Sequence, residues 1–323
     1  MTLRSLLVGD TDHYLSPYIH GVAAASGRLG ILHSQISIRV GIDRILRRIE
    51  DVRPHLLWTH MLLWPPKGSP QASVLLAACT MARRRYGTKV VIHDGDLKER
   101  TRFPQDISSG VDLALLNHRH PRTAWKVPTL YWPYACFPQE KLAAPVEALR
   151  CRLAFAGQLA SIPFRLPGPP AGIYDARSQF VRILEGREVG MRVFDGSDGN
   201  TLLRTADLAV SAGAVLGYGR PGSDWVDNRV FQYPGAGGIL LHDDVPDDAG
   251  MEPWDASGDH ITGHYIPYES GNPDSVAAAL DCLAAAPETV RQGLRKRAFV
   301  HGQKHHSYTA RVQQVLAALD LEA

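Results

Sequence analysis

Apolar positions in this chain alternate between two rhythms. Short continuous runs, such as Ser5–Gly9 (SLLVG), His55–His60 (HLLWTH), Thr88–Asp94 (TKVVIHD), Asp112–Asn117 (DLALLN) and Pro128–Pro133 (PTLYWP), have the length and composition of buried strands. Between them lie stretches with helical spacing. In Gly41–Val52, Ile42, Ile45, Leu46 and Ile49 share one face while Arg44, Arg47 and Arg48 lie opposite. Ser73–Tyr86 reads as a second helix, stopped by Gly87, where a left-handed cap carries no steric penalty.

The pattern restarts near residue 151. Cys151–Gln158 (CRLAFAGQ) is strand-like and is followed by the Pro/Gly-rich loop Ile162–Gly172. Tyr174–Glu188 predicts a helix, Gly190–Gly196 a strand, then a short helix, and Asp207–Ala212 (DLAVSA) another strand. From Pro273 the chain is largely helical, and Asn272-Pro273 supplies an N-cap followed by proline in the first turn. Strands separated by helices pair in parallel through right-handed crossovers. The expected fold class is therefore α/β, with two Rossmann-like doubly wound parallel-sheet domains, residues 1–140 and 141–323.

A length of 323 residues suits two domains of roughly 150 residues. A hydrophobic share of 45% and a charged share of 21% are those of a soluble globular protein. No apolar run is long enough to span a bilayer, since His60 interrupts the richest one and Pro65-Pro66 ends it. The N-terminus reads as a first strand rather than a signal peptide. Four cysteines without CxxC spacing indicate neither a zinc site nor a disulfide framework, which fits a reducing, cytoplasmic setting. Charge is uneven: residues 1–150 carry 20 Lys and Arg against 12 Asp and Glu, and eight of the 14 histidines. Such a half suits an anionic partner, although Arg-rich helix faces are also common solvated surfaces.

Chemistry concentrates at strand ends. Open α/β sheets take ligands at the carboxyl ends of their strands, so a cleft faced by both sheets is the expected site. After the first strand come Asp10, Asp12 and His13, of which Asp12 or His13 is the favoured base for an acceptor hydroxyl, with helix capping the competing role. Asp94-Gly95-Asp96 forms a D-x-D, read as cleft or acceptor-side carboxylates with a turn function equally open. His118, Arg119, His120, Arg122 and Lys126 surround Trp125, a mixture that can track phosphates and stack on a base or sugar. Trp58, Trp64 and Trp132 could also stack on sugars, with core packing the alternative for each.

One stretch ties these together: Asp224–Asp244, DWVDNRVFQYPGAGGILLHDD. Its Arg229, Phe231, Gln232, Gly237, Gly238, Leu240 and Leu241 resemble the R-x-F-E-x-x-A-C-G-G-x-L-L signature of group 1 GT-B glycosyltransferases, in the spore-maturation-like branch. The tail, from Pro287-Glu288 and Arg291 to His305–Arg311, resembles the closing helices of that branch. The resemblance implies two facing domains and a sugar transferase that uses a nucleotide-diphosphate sugar, UDP-sugar above others, with no metal and no tightly bound cofactor. It implies that Gly157 and Gln158 let backbone N–H groups approach the donor diphosphate, and that Arg229 neutralises phosphate. Asp224 and residue 232 would form the acidic pair, with Asn228, Gly237 and Gly238 completing the donor site. Residue 232 is ordinarily Glu; here Gln232 accepts hydrogen bonds without charge.

Phage enzymes that glucosylate hydroxymethylated bases in DNA share this layout. With the basic first half, that makes hydroxymethylated DNA one expected acceptor and an acidic surface glycan another. Two other readings stand beside the transferase. One is a non-catalytic sugar-nucleotide-binding or partner-binding module, favoured by the loss of charge at Gln232. The other is a nucleotide-sugar epimerase or hydrolase.

Overall fold

The computed structural model describes residues 2–9, 16–60, 70–94, 108–117, 125–157, 173–187, 189–195, 205–219, 226–243, 245–255 and 263–322. The chain forms two compact units, Met1–Pro138 with Tyr308–Ala323, and Gln139–Ser307.

The first unit is built on β1 (Arg4–Gly9), β2 (Leu32–Ser37), β3 (Leu56–His60), β4 (Lys89–Asp94), β5 (Leu113–Leu116) and β6 (Thr129–Tyr131). Their order is β2-β1-β3-β4-β5-β6, every pair parallel, with Leu6 opposite Leu57 and Ile92 opposite Ala114. Side chains alternate between faces along each strand. Leu6, Val8, Leu57, Val90, Ile92 and Ala114 meet Ile45 and Ile49 of α2 (Ile42–Val52) and Ala78, Cys79 and Ala82 of α3 (Pro70–Tyr86). Leu7, Trp58, Val91 and Leu115 point the other way, against Tyr18, Ile19 and Val22 of α1 (Ser16–Arg28). Burying each such aliphatic side chain contributes about 2 kcal/mol. Gly87 takes the left-handed conformation, φ +67, that ends α3.

The second unit holds β7 (Cys151–Gly157), β8 (Met191–Asp195), β9 (Ala212–Leu216), β10 (Leu240–His242) and β11 (Tyr265–Pro267), ordered β11-β10-β9-β7-β8 and again all parallel. Its described helices are α4 (Ile173–Glu185), α5 (Thr205–Ser211), α6 (Arg229–Gly235), α7 (Pro273–Ala285) and α8 (Glu288–His305). Phe155, Phe180, Leu184, Leu216, Leu241, Val276 and Leu280 share one core. Asn272 caps α7, its Oδ1 accepting from the Asp274 and Ser275 amides, with Pro273 in the first turn.

Two elements depart from the sequence reading. Asp207–Ala212 is not a strand: α5 runs to Ser211 and the strand begins at Ala212. Leu208 and Ala209 are buried from a helix, and Ala212–Leu216 occupies the slot between β7 and β10. A short apolar run fits either conformation until its sheet neighbours are known. The last helix, α9 (Tyr308–Ala318), belongs to the first unit, whereas the sequence reading ran the second domain to residue 323. Tyr308, Val312, Val315 and Leu316 fill the α1 side of the first core, and Trp132 Nε1 donates to the Arg311 carbonyl at 2.9 Å. Trp58 and Trp132 are both fully buried there, as packing residues. Among the described residues, no helix is long and apolar enough to cross a membrane.

Candidate functional site

In the second sheet β7 lies between β8 and β9, so the direction of winding reverses beside it, and a crevice opens at the carboxyl ends of such strands. Gly157 is the last residue of β7. The first residue of α6, Arg229, extends its side chain to this point. Its Nε donates to the Ala156 carbonyl at 3.0 Å and Nη2 donates to the same oxygen. Nη1 donates to both carboxylate oxygens of Asp227, at 3.0 and 2.9 Å. The guanidinium carbon stands 5.1 Å from the centre of the Phe155 ring. A β-carbon on Gly157 would overlap Nη2, so the glycine is what lets the guanidinium rest on the strand end.

A line of polar groups continues from this pair across the carboxyl edge. His242, the last residue of β10, is fully buried. Its Nε2 lies 3.8 Å from Asp227 Oδ2, and its Nδ1 lies 3.6 Å from Asp243 Oδ1. Gly217 follows β9 without a side chain because a β-carbon there would overlap the His242 ring. Asp243 accepts from the Gly219 amide at 2.6 Å and from the Ser270 hydroxyl at 2.9 Å, tying the segments after β9 and β11 together. Tyr268 Oη donates to the Gly217 carbonyl at 2.8 Å. Burial alone would raise the pKa of Asp227; the charge and backbone amide of Arg229, with the His242 ring nearby acting in the same direction, outweigh it and hold the carboxyl well below the usual carboxylate range. Asp227, His242 and Asp243 were not singled out as site residues from sequence. The signal for His242 and Asp243 was their place directly after the apolar run Ile239–Leu241; nothing of the kind marked Asp227.

The other expected donor residues divide. Asn228 precedes α6; its Oδ1 is buried and has no hydrogen-bond partner among the described residues. Gln232 is a buried residue of α6. Gly237 and Gly238 correct the sequence reading. They precede β10 and therefore lie at the amino edge of the sheet, opposite Gly157. Arg295 Nη1 bonds the Gly237 carbonyl, and its Nη2 bonds that of Ala212, the first residue of β9. Gly237 has φ +85, and a β-carbon there would overlap Leu142; one on Gly238 would sit 3.0 Å from Ala209 Cβ. At this edge the glycine-rich turn packs closely against Leu142 and Ala209. Gln158 and Asp224 lie outside the described residues.

In the first unit Asp94 ends β4, at the carboxyl edge, and is fully buried. The neighbouring His93 ring stacks on Tyr18 at 4.9 Å and meets Trp132 and Tyr134 edge-on, each at 5.1 Å. Trp125 also corrects the sequence reading. It is a buried member of the α2–α3 core rather than a stacking face for an acceptor, because its indole fills space beside that side of the sheet. Asp10, Asp12, His13, Trp64, Gly95, Asp96, His118, Arg119, His120 and Arg122 lie outside the described residues. Among the described residues, no group of three or more His, Cys, Asp or Glu is arranged to hold a metal ion. A cavity of about 400 Å³ lined by Arg83, Arg84, Lys89 and Asp112 opens at the amino edge of the first sheet, away from the strand ends where such folds place ligands.

Residues 153–317 match the family described as glycosyl transferase-like. The solved structures similar to this chain include an α-glucosyltransferase in complex with UDP and a 13-mer DNA containing an HMU base. It has a TM-score of 0.62 and 8% identity, covering 99% of this chain and 100% of that one. An α-glucosyltransferase complex with UDP and a 13-mer DNA carrying a central A:G mismatch gives a TM-score of 0.61 at 9% identity, with 99% and 100% covered. A glycosyltransferase from Rickettsia africae ESF-5 gives 0.52 at 10% identity, with 98% and 97% covered. No curated protein sequence matches the chain. At these identities the likeness shows the fold alone: GT-B, two Rossmann-like parallel-sheet domains.

Proposed function

Because this chain belongs to the glycosyl transferase-like family, we propose that it moves a sugar from a nucleotide-diphosphate sugar, a UDP-sugar first among them, to an acceptor hydroxyl. The observation that carries the reading is the guanidinium of Arg229 seated on Gly157, at the strand end where the second sheet reverses direction. A guanidinium held in a set orientation at a strand's carboxyl end is suited to a diphosphate. The second unit is the donor-binding one in this reading, and the first takes the acceptor.

In the reaction the acceptor oxygen bonds to the anomeric carbon and the bond from that carbon to the diphosphate oxygen breaks. The hydroxyl proton passes to a base, for which Asp12, His13 and Asp94 are the candidates. Negative charge grows on the departing UDP, and Arg229 with the Gly157 end of β7 offsets it. Arg229 is paired with Asp227, so the net positive charge at this point is reduced.

For the acceptor, the basic first 150 residues favour an anionic molecule, and two structural neighbours hold UDP and DNA. Duplex DNA containing hydroxymethylated bases is the acceptor this combination supports. The deciding experiment incubates the chain with labelled UDP-glucose and such DNA, beside a gel-shift across salt concentrations, since phosphate contacts make affinity fall steeply with salt. Transfer of label to DNA is the expected result. No shift even at low salt removes DNA as acceptor, while sugar release without acceptor dependence points to a hydrolase or epimerase.

A further inference from the structure

We infer that Asp227 is a positioning residue for the donor diphosphate, acting through Arg229. The inference rests on the donor-site reading of Arg229 and adds a residue to it.

An arginine side chain has several rotatable bonds, and its fork recognises phosphate only when the plane of the guanidinium is set. Among the described residues, two acceptors on separate segments set it. The Ala156 carbonyl takes Nε and Nη2, while the Asp227 carboxylate takes Nη1 through both oxygens. Phe155 lies beside the group, and Gly157 leaves the opening through which it reaches the strand end. Asp227 is fixed in turn: its Oδ1 accepts the backbone amide of Arg229 at 3.2 Å, and His242 stands 3.8 Å from Oδ2. Asp227 is nearly inaccessible, with 5% of its side chain exposed against 13% for Arg229. The carboxylate is therefore placed behind the guanidinium rather than beside the ligand.

Two effects of Asp227 on an arriving diphosphate oppose each other. Its negative charge subtracts from the attraction of Arg229, and its hydrogen bonds pre-order the fork so that binding need not pay for ordering. A carboxylate that only tempered charge would not require paired bonds to Nη1 and a further bond to the first amide of α6. Orientation outweighs attraction on this geometry.

The test measures UDP affinity of the full chain by calorimetry in wild type, Asp227→Asn, Arg229→Ala and the double variant, with donor kinetics alongside. Asp227→Asn is expected to weaken UDP about tenfold, the scale of a lost charge-assisted hydrogen bond, and to raise the donor KM more than it lowers kcat. In the Arg229→Ala background the same change is expected to do nothing further. Unchanged or tighter UDP binding in Asp227→Asn overturns the positioning role, as does an equal loss in both backgrounds. Should Asp227→Asn fail to fold, Asp227→Glu keeps the charge while displacing the fork, and wild-type affinity there overturns the role equally. A wild-type chain that does not bind UDP overturns the donor-site reading itself, and with it this inference.

Discussion

A β-carbon on Gly157 would overlap Nη2 of Arg229, so the last residue of β7 and the first residue of α6 share one small volume. Gly157 does not adopt a positive φ; the space above its Cα is what the glycine provides. Gly157→Ala is expected to push the guanidinium off the strand end while leaving the sheet paired. UDP affinity should fall on the order of tenfold, with overpacking costing about 1–3 kcal/mol in urea unfolding. Wild-type UDP affinity in a folded Gly157→Ala chain would separate Arg229 from the donor.

Arg229→Ala removes the partner of a buried carboxylate. Breaking such a pair from one side costs about 3–5 kcal/mol, because the remaining charge stays unpaired. The double variant Arg229→Ala/Asp227→Asn is expected to regain most of that stability and none of the sugar transfer. Chemical denaturation and a transfer assay on the same samples check both halves.

The pKa of Asp227 is lowered in the folded chain, so acid selects against the fold at this site. As pH falls the unfolded chain takes up the proton first, in the ordinary carboxylate range. Stability from Asp227 is thus complete above that range and is lost as pH drops through the lower folded value. Unfolding curves of wild type and Asp227→Asn between pH 7 and about 2 should converge toward the acid end. A constant gap would contradict the paired, ionised state.

His264 carries a second acid sensitivity with a higher onset. Burial foremost, then the neighbouring His301 and Arg297 against an opposing Glu252, lower its pKa to about 4. Its ring stacks on His301 at 4.0 Å, and its Nδ1 accepts the Glu252 amide at 3.0 Å. An imidazole held neutral adds stability above its unfolded pKa of about 6.5, and loses it as pH falls toward the folded value. Replacing His264 with Gln should flatten the stability profile between those limits, as followed by melting temperature.

Gly237→Ala distinguishes the two roles open to the glycine-rich turn. With φ +85 and Leu142 where a β-carbon would go, the substitution should cost about 1–3 kcal/mol of stability. Since Gly237 lies at the amino edge of the sheet, UDP affinity of the folded variant is expected to stay within about twofold of wild type, well under the tenfold that each 1.4 kcal/mol makes. A tenfold loss would return the turn to the donor site.

Local spacing in the sequence was enough for much of the architecture. Ile45 and Ile49 are buried from α2, Asn272 caps α7, and Gly87 ends α3, because these features depend on residues within one or two turns of each other. The strand–helix alternation determined two parallel-sheet domains on the same basis, and the signature around Arg229 named the residue at the centre of the candidate site. Strand order was beyond its reach, and with it every relation between distant segments. The fold brings Ala156 and Gly157 to Arg229, and places Asp227 and His242 in line behind it. It also assigns Asp207–Ser211 to a helix, draws α9 into the first core, and puts Gly237 at the edge opposite the site. A chain's periodicity reports which face of an element is apolar; only the completed sheet, by reversing its strand order beside β7, decides which ends of which elements meet.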